Sequence, residues 1–428
     1  MPNRKKNILV FPCGSEIGLN IYGSVRHSTH FHLIGGSSVD DHGKFVYDDY
    51  IPDIPLASSP DFIPAMAQIV ADRQIDAIYP AMDFVLTILK EHEHELGCRV
   101  VTSDAETTQI CLSKESTYRT LKDAIRVPKV YEDTDIPSEE FPVFVKPKIG
   151  YGAKGTRKLA TQAEVNRFAA GRSDVLVVEY LPGEEYTVDC FTNKNGELLY
   201  CAARVRHRIR NGISVNTIFV EHQEEFVRMA RKINATMAFR GAWFYQVKRD
   251  KAGELCLLEV ASRIGGSSLL SKAIGVNLPL LSLYDIFDYD VDIIKYDYHV
   301  ELDRALENKY KINLDYDSVY CDYDDCLIEN GSEINTDLVK FLYQCVNQGK
   351  KIHLLSKHDG DLIEELNRFR LSGLFDSVIH IGKHENKADY IRSAKPLFID
   401  DSYAERVNAK RRLHIPVFSP EMIDVLLK

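Results

Sequence analysis

The stretch VVEYLPGEEYTVDCFT (177–192) decides the reading of this chain. Its alternating, β-branched residues predict two antiparallel strands. Glu179 and Tyr180 stand at the end of the first, and Glu185 opens the second. Polar groups at strand ends reach a ligand without interrupting a core. Upstream, FPVFVKPKIGYGAKGTRKL (141–159) reads as strand, loop, strand. Lys146 ends the first of these, and the loop IGYGAKG carries Gly150, Gly152 and Gly155 with Lys154 among them. Glycine lets the backbone approach phosphate oxygens, and lysines supply the cations that a polyphosphate needs. The loop has no G-x-x-x-x-G-K-[ST] pattern, so it is not a Walker A loop. Downstream, AWFYQVKRDKAGELCLLEV (242–260) predicts a hairpin turning at Asp-Lys-Ala-Gly. Gln246 and Glu259 lie on its two strands, positioned as oxygen ligands for Mg²⁺. Arg263 follows, suited to developing negative charge.

Further upstream the texture changes. NILVFPCG (7–14), FHLIGGSS (31–38), IDAIYPAMD (75–83) and RVVTSD (99–104) are strand-like runs separated by amphipathic stretches such as FIPAMAQIVADRQ. That alternation predicts a parallel, doubly wound α/β domain over 1–105. TQICLSKESTYRTLKDAI (108–125) predicts a helix opening an α+β block over 106–305. A polar stretch, LENKYKINLDYDS, then precedes a third, small α/β domain over 312–428, with strands at SVYC, KIHLLS, SVIHIG and PLFI.

The order of motifs in the middle block resembles the ATP-grasp superfamily, on its carbamoyl-phosphate-synthase-like and amino-acid-ligase branch. The matching residues are Lys114, Lys146-Pro147 with the glycine loop, EYLPGEEYTVD, and Gln246 with Glu259-Val260-Ala261-Ser262-Arg263. The resemblance includes the leading α/β domain, which is similar to a pre-ATP-grasp domain. It implies an ATP-dependent carboxylate-amine ligase that works through an acyl phosphate. Lys114 and Lys146 would hold phosphates and the adenine edge, with Gly152, Lys154 and Gly155 in the phosphate loop. Glu179 and the Tyr180 backbone would contact adenine, and Glu185 the ribose. Gln246 and Glu259 would carry Mg²⁺, and Arg263 would steady the acyl phosphate. Ala261 departs from the family's Asn and offers no side-chain donor or acceptor. In RVRHRIRNGIS (204–214), Arg204, Arg206, Arg208 and Arg210 alternate and would share one strand face. Arg forks suit carboxylates, and the related ligases carry a similar Arg-x-Arg near the acceptor. Arg204 and Arg206, with Ser267 and Ser268, are therefore the candidate substrate residues.

In the last block, SVYCDYDDCLIENG (318–331) runs an apolar strand into Asp322 and Asp324. One carboxylate at a strand end can attack while another, two residues on, protonates a leaving group. Ser356 ends KIHLLS, Lys383 or Lys387 follows, and PLFIDDS delivers Asp400 and Asp401. This order resembles the haloacid dehalogenase (HAD) superfamily. The resemblance implies a capless, Rossmannoid, Mg²⁺-dependent phosphatase, because the interval from Cys326 to Ser356 has room for a helix and turns but hardly for a lid. Asp322 would be the nucleophile, Asp324 the general acid/base, Ser356 the phosphate donor and Lys387, in preference to Lys383, the motif lysine ahead of a helix. Asp322, Asp324, Asp400 and Asp401 would hold Mg²⁺. Cys326 stands where the family has Thr.

The expected whole is an α/β and α+β multidomain enzyme, a ligase fused to a hydrolase, with ATP and Mg²⁺ as cofactors. Its partners would be a small-molecule carboxylate, an amine and a phosphorylated small molecule, with a homodimer as family expectation. Two other readings stand beside it: a phosphatase with a regulatory nucleotide-binding half, and a non-catalytic assembly protein. A formal charge of −10 argues against a dedicated nucleic-acid or membrane binder. The 9 Cys show neither Cys-x-x-Cys nor zinc spacing. Free thiols, a short N-terminal apolar run and no 18-residue apolar span fit a cytoplasmic protein.

Overall fold

The computed structural model describes residues 4–132, 135–150, 154–169, 171–210, 213–297, 299–305, 309–310 and 312–427. The chain divides into two compact units, 1–306 and 307–428.

The first unit opens with a parallel sheet in the order Tyr50–Ile51, Phe31–Gly36, Lys6–Phe11, Ala77–Pro80, Arg99–Val100. Its strands are near-continuous apolar runs because both faces are covered. Leu9, Phe11 and Ile78 pack on Phe62, Met66, Val85 and Leu89 from flanking helices. Ile8, Val10 and Tyr79 pack on Ile17 and Ile21, and share that core with Phe191, Tyr200, Ala202 and Leu283 from the following block. That common core binds the leading sheet and the middle block into one unit.

The middle block holds two antiparallel sheets. Four strands run Val130–Tyr131, Val175–Glu179, Val143–Pro147, Arg157–Leu159. Six run Leu255–Ala261, Gly241–Arg249, Glu185–Thr192, Leu198–Arg210, Ile213–Phe219, Glu301–Asp303. The larger sheet is two-faced by its period of two. Tyr186, Val188, Cys190, Ala203, Trp243, Tyr245 and Val247 bury one face against Phe226, Met229 and Ile233 of helix Glu224–Thr236. The intervening residues, Glu185, Thr187, Asp189, Arg204, Arg206 and Gln246, therefore occupy the other face. The turn at Asp250 closes through Gly253 N–H to Asp250 C=O at 3.1 Å, with Gly253 at φ +84°.

Two sequence expectations are corrected here. The helix expected across 108–125 is two helices, Ala105–Leu112 and Lys114–Leu121. Ser113 breaks them, adopting an extended backbone so that its hydroxyl accepts from Ser116 N–H. The row of four arginines is not a regular alternation along its whole length. The register shifts between Arg206 and Arg208 and again before Ile209, and each slip interrupts the alternation.

The second unit is a five-stranded parallel sheet in the order Ser377–His380, Lys351–Ser356, Ser318–Cys321, Pro396–Ile399, Val417–Phe418. Val319, Cys321, Leu354, Leu397 and Ile399 pack on Leu338, Phe341 and Leu342 of helix Thr336–Asn347. The opposite face buries Tyr320, Leu355 and Phe398 with Ala409 and Ile415. Between Cys326 and Ser356 stand a hairpin, Ile328–Glu329 with Glu333–Ile334, and that helix. The parallel order places the carboxyl ends of the three inner strands side by side, the usual ligand crevice of such sheets. No helix among the described residues is long and apolar enough to cross a membrane.

Candidate functional sites

In the first unit, the register sets Glu259 opposite Gln246, Gln246 opposite Thr187, and Thr187 opposite Arg204. One row of polar side chains thus crosses four strands. Lys146, at the end of its strand, is 5% exposed. Its Nζ donates to the Tyr118 hydroxyl and lies 3.4 Å from the Leu258 carbonyl. The Tyr118 hydroxyl is itself committed to that carbonyl at 2.7 Å. Burial, reinforced by the neighbouring Lys114 charge, pushes the Lys146 ammonium down to about 7. Lys114 reaches from its own helix to the Gly150 carbonyl (3.0 Å) and to Glu259 Oε2 (3.5 Å). The structure therefore gathers Lys114, Lys146, Gly150 and Glu259 from four separate elements.

Other predicted residues lie around this group with partners of their own. Glu179 Oε1 accepts from Arg126, and Tyr180 lies under Lys158 Nζ, 4.1 Å from the ring centroid. Glu185 pairs with Arg206. Arg204 is 2% exposed and held by the fully buried Asp189, Nε to Oδ2 at 2.8 Å. A Cβ on Gly265 would fall 2.9 Å from Arg204 Nη2, so the chain passes that guanidinium as glycine. Ser267 donates to the Ser214 carbonyl at 2.9 Å, while the buried Ser268 hydroxyl has no partner among the described residues. Arg263 forks onto Asp83, Nε to Oδ1 at 2.9 Å and Nη2 to Oδ2 at 2.6 Å. Ala261 stands opposite Phe244. Gly155 takes φ +73° beside Pro147, and Lys154 is exposed. Gly152 lies outside the described residues.

In the second unit, three strand ends converge. Asp322 follows Ser318–Cys321, Asp400 and Asp401 follow Pro396–Ile399, and Ser356 ends its own strand. Asp322, Asp400 and Asp401 each offer an oxygen within 4.8 Å of the others. Lys387, 2% exposed, sits 2.7 Å from Asp322 Oδ2 and 2.6 Å from Asp400 Oδ2. Burial pushes the Asp400 carboxyl up to about 7, Lys387 opposing and Asp322 adding to it. Burial also raises Asp401. The Lys387 ammonium is raised, because the two carboxylates outweigh its desolvation. Two buried polar atoms here have no partner among the described residues: Asp322 Oδ1 and Ser356 Oγ. Such orphans are rare in native proteins. Three carboxylates against one ammonium, with only oxygen donors, fit a hard divalent cation such as Mg²⁺. The Ser356 hydroxyl can donate to an oxyanion placed beside that cation, whereas the Asp322 oxygen, an acceptor only, suits the cation itself.

The structure revises two expectations at this crevice. The Asp324 carboxylate stands outside the metal-competent cluster. It is half exposed and accepts from His358 Nδ1 at 2.8 Å. Lys387 precedes no α-helix but opens a three-residue 3₁₀ turn, Lys387–Asp389. Lys383 is exposed and paired with Asp359, away from Asp322. The Cys326 thiol, which stands where the resembled family has a hydroxyl, is buried against the Ile399 carbonyl at 3.8 Å.

The partners Asp83, Tyr118, Arg126, Asp189 and His358 went unnoticed in the sequence. Asp83 and Asp189 carried a signal, as each closes or continues a strand motif already quoted. Tyr118, Arg126 and His358 carried none.

Residues 172–304 match the family described as ATP-grasp in the biosynthetic pathway with Ter operon. Over 112 residues the chain is 30% identical to a D-alanine–D-alanine ligase of Thermotoga petrophila, covering 24% of this chain and 36% of that protein. The match thus spans about a third of that relative's length. Among solved structures, biotin carboxylase from Campylobacter jejuni, in a β,γ-ATP complex, aligns with a TM-score of 0.57 at 16% identity, over 70% of this chain and 75% of that one. N5-carboxyaminoimidazole synthetase from Staphylococcus aureus, complexed with ADP, aligns at 0.55 and 16% identity, over 68% and 80%. The L-amino acid ligase from Bacillus licheniformis aligns at 0.53 and 16% identity, over 66% and 75%. The chain therefore carries an ATP-grasp fold, as its motif order implied.

Proposed function

We propose that the first unit is an ATP-dependent carboxylate-amine ligase and the second a Mg²⁺-dependent phosphatase of the HAD type. The observation that supports the ligase reading is the buried, partly neutralised Lys146 beside Lys114, Gln246 and Glu259 on an ATP-grasp fold. A lysine desolvated in this way gains most when a polyanion enters and restores its charge. In this reading, Lys114, Lys146 and the glycine loop with Lys154 and Gly155 grip the triphosphate. Glu179 and Tyr180 meet adenine, and Glu185 the ribose. A carboxylate oxygen of the substrate attacks the γ-phosphorus as the bond to ADP breaks. The amine then attacks the acyl carbon and phosphate leaves. Arg263, fixed by Asp83, steadies the charge that develops. Arg206, and Arg204 as positioned by Asp189, orient the acceptor carboxylate. Gln246 and Glu259 are the residues that would hold Mg²⁺, which when bound neutralises the phosphates.

For the second unit, the supporting observation is the orphaned pair Asp322 Oδ1 and Ser356 Oγ beside three carboxylates. Asp322 forms a bond to phosphorus as the ester P–O bond breaks, and Asp324 gives its proton to the leaving oxygen. Water then attacks the aspartyl phosphate and returns a proton to Asp324, releasing phosphate. Ser356 donates to the phosphoryl oxygens, and Lys387 compensates Asp322 and Asp400. Asp322, Asp400 and Asp401 would hold Mg²⁺, which when bound screens nucleophile from phosphoryl group.

Ala261 favours a second reading. Without the Asn side chain, the first unit would bind nucleotide and regulate, leaving the phosphatase as the working site. A screen of small acids and amines for ADP release separates the two, with Lys146→Ala and Asp322→Asn as paired controls. ADP release that survives Lys146→Ala refutes the ATP site. Acid-dependent ADP release that disappears with Lys146→Ala supports the ligase.

A further inference from the structure

We infer that His358 is the positioning residue for Asp324, aiming its carboxyl at the leaving-group oxygen. This deepens the phosphatase reading and rests on it. Asp324 is 52% exposed at the side chain, so on its own it would rotate freely into water. His358 prevents this. Its Nδ1 lies 2.8 Å from Asp324 Oδ1 and 3.1 Å from Oδ2, so the imidazole spans both oxygens. In the tautomer that carries its proton on Nδ1, one Asp324 oxygen accepts from His358 while the other is left to carry the proton that is transferred.

His358 is itself held from several sides. Its side chain is only 17% exposed. The Tyr323 ring meets it edge-on with centroids 4.9 Å apart, and the Tyr323 hydroxyl is tied to Glu365 Oε2 at 3.0 Å. His380 Nε2 donates to the His358 backbone carbonyl at 2.8 Å from the end of the neighbouring strand. Two residues upstream of His358 is Ser356, with its unpartnered hydroxyl. One short loop therefore fixes both the phosphoryl seat and the acid that must face it. An exposed ion pair would contribute little. A ring clamped by two neighbouring elements and aimed at a rim carboxylate is instead a preorganising contact, of the kind that general acid catalysis requires.

The test uses the full chain with Mg²⁺ and two phosphomonoesters. 4-Nitrophenyl phosphate has a leaving group that needs no proton, whereas glycerol phosphate has one that does. His358→Ala is expected to lower kcat/KM on glycerol phosphate, which reports the phosphoryl-transfer step before water attacks, by about tenfold, and to leave kcat/KM on 4-nitrophenyl phosphate close to wild type. His358→Asn, whose amide N–H can take the place of Nδ1–H, is expected to recover most of the loss. Thermal melts of both variants control for folding. Equal losses on the two esters, or no loss on glycerol phosphate, overturn the inference while the phosphatase reading stands. A wild-type chain inactive on both esters removes that reading and this inference together.

Discussion

Lys146 and Lys387 are both buried lysines, yet their ammonium groups are pushed in opposite directions. Lys146 meets a phenol, a distant carbonyl and another lysine, so burial wins and it falls to about 7. Lys387 is gripped by Asp322 and Asp400, so attraction wins and it rises. Burial alone does not set a buried charge; the nearest counter-ion does. The comparison also identifies what each crevice lacks. Around Lys146 the carboxylate Glu259 is drawn to a second lysine, Lys114, whereas around Lys387 three carboxylates face one ammonium. The first is prepared for an anion and the second for a cation.

The strongest way to break this contrast is to delete each side and read both reactions. Asp322→Asn should lower phosphate release by on the order of 10³-fold or more, with ADP release unchanged. Lys146→Ala should lower ADP release by about 10²-fold or more and leave phosphate release alone. Assays on one preparation, with the two substrates in turn, decide it.

Protonation sharpens the contrast next. Lys146, held below its unfolded value, contributes stability above about pH 10.4 that is lost as the pH falls through about 7. An entering polyphosphate restores its proton. Calorimetry at pH 8 in buffers of different ionisation enthalpy should therefore show proton uptake on nucleotide binding, and none in Lys146→Met. Asp400 runs the other way. Its carboxyl, held above its unfolded value, contributes stability below about pH 3.9 that is lost as the pH rises through about 7. Mg²⁺ should accordingly raise the melting temperature of the second unit more at pH 8 than at pH 6. Equal shifts at the two pH values would contradict the cation-deficient crevice.

The smallest effect belongs to the Arg263–Asp83 pair, which is partly exposed. Asp83→Asn should cost about 1 kcal/mol or less in urea unfolding. Its signature is instead a raised KM for the acid substrate, with the melting curve nearly superimposable.

How much of this was legible in the chain follows the range of each interaction. The strand-end residues Lys146, Glu179, Asp322 and Asp400 could be read directly, because apolar strands announce where they stop. The sheet classes were equally plain from alternation and helix spacing. The partners were not. Arg263 is 180 residues from Asp83, and His358 is 34 from Asp324. No local pattern couples positions so far apart. The break in the arginine row was not legible, because a register slip between Arg206 and Arg208 depends on the neighbouring strand. Ser113 broke an expected helix because an N-cap bond competes with helix continuation.

By itself the sequence determined the strands, the order of the motifs and the chemical types gathered at strand ends, since those follow from local hydrophobic period and chain direction. Only the tertiary structure decided which charge meets which. It paired Arg204 with Asp189 and Arg263 with Asp83, left Ser356 Oγ and Asp322 Oδ1 without partners, and set two lysines on opposite sides of their ordinary value. Electrostatic energy depends on separations of a few ångströms and on desolvation, and both come into being when distant segments pack.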